Sequence, residues 1–209
     1  MTDSGGTHRA PVGMALWGTE PVRTVAGHAR RAEAAGFESV WLVDTQLICR
    51  EVYVTLAACA AVTDELVLAT GVTVPRTRHP SVTASALATL HELAGDRVLA
   101  GISTGHSALR NIGLQPARID ELARYVADVR ALLDGATLRF GAGTDVAGAA
   151  GVDGSLSWLG GPARVPLHVA ATGPRLTRAA AAMGDGVILL RGAAPDLISS
   201  GVDLIDEGV

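Results

Sequence analysis

The chemistry-bearing residues of this 209-residue chain gather in a few short stretches, and the densest is Ser103-Thr104-Gly105-His106-Ser107. Five residues supply three hydroxyls and an imidazole, enough to hold a polar ligand or, with a base in reach, to make a nucleophile. An apolar run, 98–102, leads into the cluster, and Gly101 and Gly105 permit close backbone approach or a positive φ. A polar loop at the end of an apolar strand is where α/β proteins place ligands. The other reading is a turn whose glycines only shape the chain. Gly101-Ile102-Ser103-Thr104-Gly105 also fits G-x-S-x-G, the turn that presents a nucleophilic serine in α/β-hydrolases, with His168 downstream. No H-G-G-G segment precedes it to supply an oxyanion hole, and Asn111, Gly113 and Pro116 oppose the long helix that should follow. A serine hydrolase acting through Ser103 is the weaker alternative.

Other candidates lie at comparable positions. Asp44 follows an apolar run, 39–43, and either faces a ligand or caps the next helix. Gln46 and Arg50 line the same pocket or sit on the surface. Thr73 and Ser103 leave their strands at the same end. Thr172 and Gly173 precede a helical stretch, whose free N–H groups and dipole of roughly half a charge attract phosphate, with Arg175 in support. Simple capping by Thr172 explains the same pair. His79, before Pro80, is an acid–base candidate or a structural residue at a helix start. His91-Glu92 opens H-E-x-x-H, but Gly95 occupies the fifth position, so the zinc motif fails and no metal site is expected. His8, His28 and His168 carry no motif.

All 17 basic residues are arginine. That excludes a Schiff-base lysine, a pyridoxal-phosphate lysine and a Walker A lysine. The net charge of −4 and the lack of a basic run argue against nucleic acid and anionic membranes as partners. No apolar run reaches the ~18 residues of a spanning helix, and the start lacks the apolar region of a signal peptide. A cytoplasmic protein is expected. Cys49 and Cys59 form no C-x-x-C pair and read as free thiols.

The elements that must position these residues alternate from end to end. Strands are expected near 12–16, 39–43, 66–74, 98–102, 165–170 and 186–190. Helices are expected near 21–35, 52–63, 81–94, 119–134 and 174–183, with the tail, 196–209, beginning another. The clearest helix sets Ile119, Leu122, Val126, Val129 and Leu132 on one face before Gly135. Residues 136–163 break the rhythm and read as an insertion or long loop. Alternation of this kind gives a parallel sheet covered by helices, either an open doubly wound sheet or a barrel of which six βα units are present.

Five motifs in order resemble the bacterial-luciferase-like superfamily of flavin- and deazaflavin-dependent oxidoreductases, nearest its methylenetetrahydromethanopterin reductase-like branch. They are Ser39-Val40-Trp41-Leu42-Val43-Asp44-Thr45-Gln46-Leu47, Ala69-Thr70-Gly71-Val72-Thr73-Val74-Pro75-Arg76-Thr77-Arg78-His79-Pro80, and Gly101-Ile102-Ser103-Thr104-Gly105-His106-Ser107-Ala108-Leu109-Arg110. Val165-Pro166-Leu167-His168-Val169-Ala170-Ala171-Thr172-Gly173-Pro174 and Ala182-Met183-Gly184-Asp185-Gly186-Val187-Ile188-Leu189 complete them.

The resemblance implies a TIM-type (β/α)8 barrel over residues 11–209, C-terminally incomplete after strand six. It implies a cis peptide bond at Gly71-Val72. It also implies coenzyme F-420 or FMN held by Gly71, Val72, Thr73, Ser103, Thr104, Gly105, His106, Ala171, Thr172 and Gly173. Asp44 and His79 are the catalytic candidates it suggests. Val74 and His106 depart from the commonest residues of the family near the cofactor head. The implied activity is hydride transfer between reduced deazaflavin and a small organic substrate, by a homodimer. An FMN-dependent monooxygenase is the alternative, and a non-catalytic remnant a second one.

Overall fold

The computed structural model describes residues 10–141 and 151–208. Six parallel strands form one curled sheet: β1 (Gly13–Leu16), β2 (Ser39–Leu42), β3 (Val67–Thr73), β4 (Val98–Ile102), β7 (Leu167–Ala171) and β8 (Gly186–Leu189). Between β4 and β7 the chain forms a separate antiparallel hairpin, β5 (Leu138–Phe140) and β6 (Val152–Gly154). The sheet order β1-β2-β3-β4-β7-β8 follows the chain without reversal. A doubly wound sheet reverses direction at a switch point, so this is barrel winding, a partial (β/α)8 barrel.

Helices α1 (Val22–Ala34), α2 (Val52–Ala60), α3 (Pro80–Ala94), α5 (Ile119–Leu133), α6 (Pro174–Met183) and α7 (Pro195–Asp206) alternate with the strands, and a four-residue helix, α4 (Ser107–Arg110), interrupts one loop. The stretch 136–163, expected as an insertion or long loop, carries this hairpin; residues 142–150 of it lie outside the described residues, as do His8 and Val209. Leu138 and Phe140 of β5 pack against the core, which gives that three-residue strand its reason to form.

The two faces of the sheet are built differently. Val40 and Leu42 of β2, Val98, Ala100 and Ile102 of β4, and Leu167, Val169 and Ala171 of β7 all join the main core under the helices. There they meet the buried stripes of α1 (Val25, Ala26, Ala29, Ala32) and α5 (Leu122, Tyr125, Val126, Val129, Leu132). Each fully buried Leu contributes roughly 2 kcal/mol. The alternate residues face the inside of the curl, where large and small side chains interlock. A Cβ on Gly13 would meet Ser39 Oγ and the Trp41 ring. One on Gly101 would lie 2.3 Å from the Thr70 carbonyl oxygen, and one on Gly186 would strike the His168 ring. Gly101 is thus a close-approach glycine, while Gly105 has the positive φ, 76°.

The opposite end of the barrel is tied by one side chain. Glu33 of α1 accepts the backbone N–H groups of Asp64, Glu65 and Leu66 at 2.9, 2.7 and 2.8 Å. Three donors converge on one carboxylate oxygen and fix the turn that feeds β3.

Candidate active site

The C-terminal strand ends bring most of the predicted residues to one rim. Asp44 follows β2, Thr73 ends β3, Ser103, Thr104 and Gly105 follow β4, and Ala171, Thr172 and Gly173 run from β7 into α6. The Gly71-Val72 peptide bond in β3 is cis, and the β3–β4 register shifts between Thr70 and Thr73. Beyond the shift, the Ser103 N–H donates to the Thr73 carbonyl at 3.0 Å.

At the β2–β3 end, a polar network is buried. Asp44 is only 5% exposed, and Thr73 is fully buried. Asp44 Oδ2 accepts from Thr73 Oγ1 at 2.9 Å and from Arg78 Nη1 at 2.5 Å, while Oδ1 accepts from Gln46 Nε2 at 2.9 Å. Arg78 Nη2 donates to Glu51 Oε1 at 2.7 Å, and the other Glu51 oxygen accepts the Val54 N–H, capping α2. The guanidinium lies 5.1 Å from the centre of the Tyr53 ring. Burial opposes the charge on Arg78, yet hydrogen bonding to Asp44, the Asp44 charge and a hydrogen bond to Glu51 hold it protonated well above the ordinary range. Burial likewise pushes the Tyr53 hydroxyl well above its ordinary value.

The capping role considered for Asp44 belongs instead to Glu51. Asp44 is an anchor engaged by three donors, and the Thr73 hydroxyl belongs to the same network. Arg50 donates to the carbonyl oxygens of Gly18 and Thr19, joining two loops.

At the β4–β7 end lies a cavity of about 1110 Å³. Thr104, Arg118, Thr172, Gly173, Arg175 and Arg178 contribute to its wall. Gly173 is the N-cap of α6 and Pro174 its first residue, so the free N–H groups of the first turn open toward this space. A Cβ on Gly173 would meet nothing within 4 Å. Thr172 makes no capping hydrogen bond to α6, so the simple-cap reading of that residue is corrected. Arg118 pairs with Asp120 at 3.0 Å and Arg178 with Glu207 at 2.6 Å, whereas Arg175 has no ion pair among the described residues. The spacing Pro174-Arg175-Leu176-Thr177-Arg178 puts two guanidinium groups on one helix face, a signal present in the sequence beyond Arg175 alone.

The side chains of Ser103, His168, His106 and His79 are engaged elsewhere. Ser103 Oγ donates to the Ala170 carbonyl at 3.0 Å, and the helix after it begins only at Ser107 and spans four residues. His168 packs on Gly186 and His106 accepts from Arg110 Nη2 at 3.1 Å, so neither serves as a base for Ser103 and the hydrolase reading is overturned. His106 lies with Arg110 in a small separate cavity of about 170 Å³. His79 is the N-cap of α3; its Nδ1 accepts from Ser81 and its ring meets Phe140 edge-on at 4.9 Å, the arrangement of a structural histidine. Among the described residues no group of three or more His, Cys, Asp or Glu is placed to hold a metal ion.

The barrel winding, the cis bond in β3 and the cavity at the mouth of β7 are accompanied by a match to the family model "Luciferase-like monooxygenase" over residues 2–209. The chain belongs to that family. It is 32% identical over 180 residues to 5,10-methylenetetrahydromethanopterin reductase of Methanolobus tindarius, covering 82% of this chain and 51% of that protein. It is 34% identical over 188 residues to F420-dependent glucose-6-phosphate dehydrogenase of Beutenbergia cavernae, covering 84% of this chain and 54% of that one. The fold matches coenzyme F420-dependent tetrahydromethanopterin reductase from Methanopyrus kandleri with a TM-score of 0.76 at 23% identity, covering 95% of this chain and 60% of that one. It also matches an F420-dependent secondary alcohol dehydrogenase with a TM-score of 0.77 at 22% identity, covering 95% and 63%. The chain spans about half the length of the curated relatives it matches.

Proposed function

We propose that this luciferase-like chain binds coenzyme F-420 at the C-terminal rim and takes part in hydride transfer to or from a small organic substrate. The observation that carries the reading is the cavity at the start of α6, where Arg118, Arg175 and Arg178 surround open helix N–H groups. These residues fit an anionic cofactor tail, because guanidinium and helix dipole act in the same sense. F-420 carries a phosphodiester and several carboxylates on its tail, where FMN carries one phosphate. Arg175, which has no ion pair among the described residues, beside the carboxylate-paired Arg118 and Arg178 favours the former. The naming of F420 in the relative from Beutenbergia cavernae, at 34% identity, supports the same choice.

Bound F-420 would supply the two-electron hydride chemistry. The chain's own task is to bind, orient and exclude water. Thr172, Gly173 and Arg175 would hold the tail. The rim formed by Gly71-Val72 and by Ser103-Thr104-Gly105 would support the ring. Asp44, neutralised by Arg78, would fix the floor beneath it. His79 has no place in this scheme. The reading includes a homodimer, supported by the exposed apolar residues Val54 of α2 and Val82 and Leu93 of α3. It also includes a cytoplasmic location, in keeping with two free cysteines; among the described residues no helix is long and apolar enough to cross a membrane.

The test is a fluorescence titration of the 209-residue chain with F-420 and, separately, FMN. Saturable binding with preference for F-420 supports the reading. Preference for FMN moves it to the monooxygenase alternative, and a folded chain that binds neither moves it to the non-catalytic one.

A further inference from the structure

The Asp44 network leaves two buried polar atoms without a hydrogen-bond partner, the Tyr53 hydroxyl and an amide oxygen, and the amide oxygen is the one at the end of the chain of contacts. Gln46 Nε2 donates to Asp44 Oδ1, but Gln46 Oε1 is buried and has no hydrogen-bond partner. A buried amide oxygen without a donor costs about 1–3 kcal/mol, so its persistence calls for a partner. The assignment of the two ends of this amide is not arbitrary. A carboxylate only accepts, so the NH2 must face Asp44 and the oxygen must face away. Asp44 itself cannot turn to suit the amide, because Thr73 and Arg78 hold its other oxygen, and Glu51 and the Tyr53 ring hold Arg78. The sequence of constraints runs Glu51–Arg78–Asp44–Gln46, and its free end is an acceptor.

We infer that Gln46 reads the ligand at this rim, and that it takes an N–H or O–H donor. Arg78 is the positioning residue that fixes its polarity through Asp44. This rests on the proposed ligand face and deepens it. Two sources offer such a donor: the imide N–H on the pyrimidine edge of the cofactor ring, or the hydroxyl of an alcohol substrate. A group that only accepts, such as a phosphate dianion, is refused there, because it would face the amide oxygen and the buried Asp44 carboxylate behind it.

The decisive measurement needs no cofactor. In 15N–1H spectra of the chain with Gln46 assigned through Gln46→Met, the side-chain amide is expected to show one proton shifted downfield and slowed in exchange. Arg78→Met should loosen both features, and Arg78→Lys, which restores charge but not the shared geometry, should rescue them only in part. Binding then separates the sources. If the donor is the cofactor imide, Gln46→Met weakens F-420 affinity by about 10-fold. If the donor is a substrate hydroxyl, F-420 affinity is unchanged while KM for a secondary alcohol rises by a similar factor. A wild-type amide with free-amide shifts and exchange overturns the inference, as does a Gln46→Met chain that is folded and unaltered in both affinities. A wild-type chain that binds no F-420 defeats the proposed function instead, and the amide spectra still decide the polarity of Gln46.

Discussion

Asp44 and Arg78 form a pair in which neither member tolerates the loss of the other. Their side chains are 5% and 14% exposed, so removing one leaves an uncompensated charge in a poor solvent for it. Asp44→Asn is expected to lower stability by about 3 kcal/mol in urea unfolding, while Asp44→Asn combined with Arg78→Met should recover much of that loss. Equal and additive losses would show that the two charges are solvated separately. Arg175 presents the opposite case, since it has no ion pair among the described residues. Arg175→Ala should leave the melting temperature within a degree or two and weaken F-420 binding by about 10-fold. A fall in stability with unchanged affinity would assign it to the fold. At this scale the sequence placed Asp44, Thr172 and Gly173 at the C-terminal strand ends, because each follows an apolar run. It concealed Arg78, whose guanidinium reaches Asp44 across 34 positions of chain. It also did not announce that the side chains of His79 and His106 are engaged by a helix cap and by Arg110.

Elements are held in place by contacts that local patterning does not announce. The Glu33 carboxylate ties the approach to β3. Partial burial works against its charge, but the Glu65, Leu66 and Asp64 N–H groups, with Arg97 nearby, hold its pKa below the ordinary carboxylate value. A depressed folded-state pKa contributes stability that is present above the unfolded value and is lost as pH falls through the folded one. Glu33→Ala should therefore cost about 1 kcal/mol near neutrality and proportionately less in acid; a pH-independent difference in unfolding free energy would refute the charge-based account. The glycines of the inner sheet face make a second case. Gly101→Ala would drive a methyl onto the Thr70 carbonyl at 2.3 Å, backbone that cannot move aside, and should cost 1–3 kcal/mol or more. Six strands and six of the helices were legible, since apolar runs and terminal glycines mark them. The hairpin of β5 and β6 was not, because three-residue strands separated by eleven residues carry no period of their own and form only when Leu138 and Phe140 find the core.

The whole molecule is acidic, with a net charge of −4, yet three arginines converge on one cavity at the sheet's ligand-bearing end. The carboxylates of Asp44 and Glu51 stand at the β2–β3 end of the same rim and share one guanidinium, so that end is the more negative. The cofactor proposed for this rim, with its anionic tail, would be aligned before it makes close contact, tail toward α6 and head toward β3. This polarity was beyond the sequence, in which Arg118 and Arg178 are separated by 60 positions and only the barrel winding brings them to one wall. It has a measurable consequence. Attraction between exposed guanidinium groups and a polyanionic tail is screened beyond about 10 Å at 0.1 M salt, whereas buried contacts at the head are not. F-420 affinity should fall steadily as sodium chloride is raised from 0.02 to about 0.5 M. Loss of Arg175 should flatten that dependence, and Gln46→Met should leave its slope unchanged. If Arg175→Ala keeps the full salt dependence, the tail does not lie in the arginine-lined cavity, and the orientation proposed for the cofactor is wrong even where its binding is not.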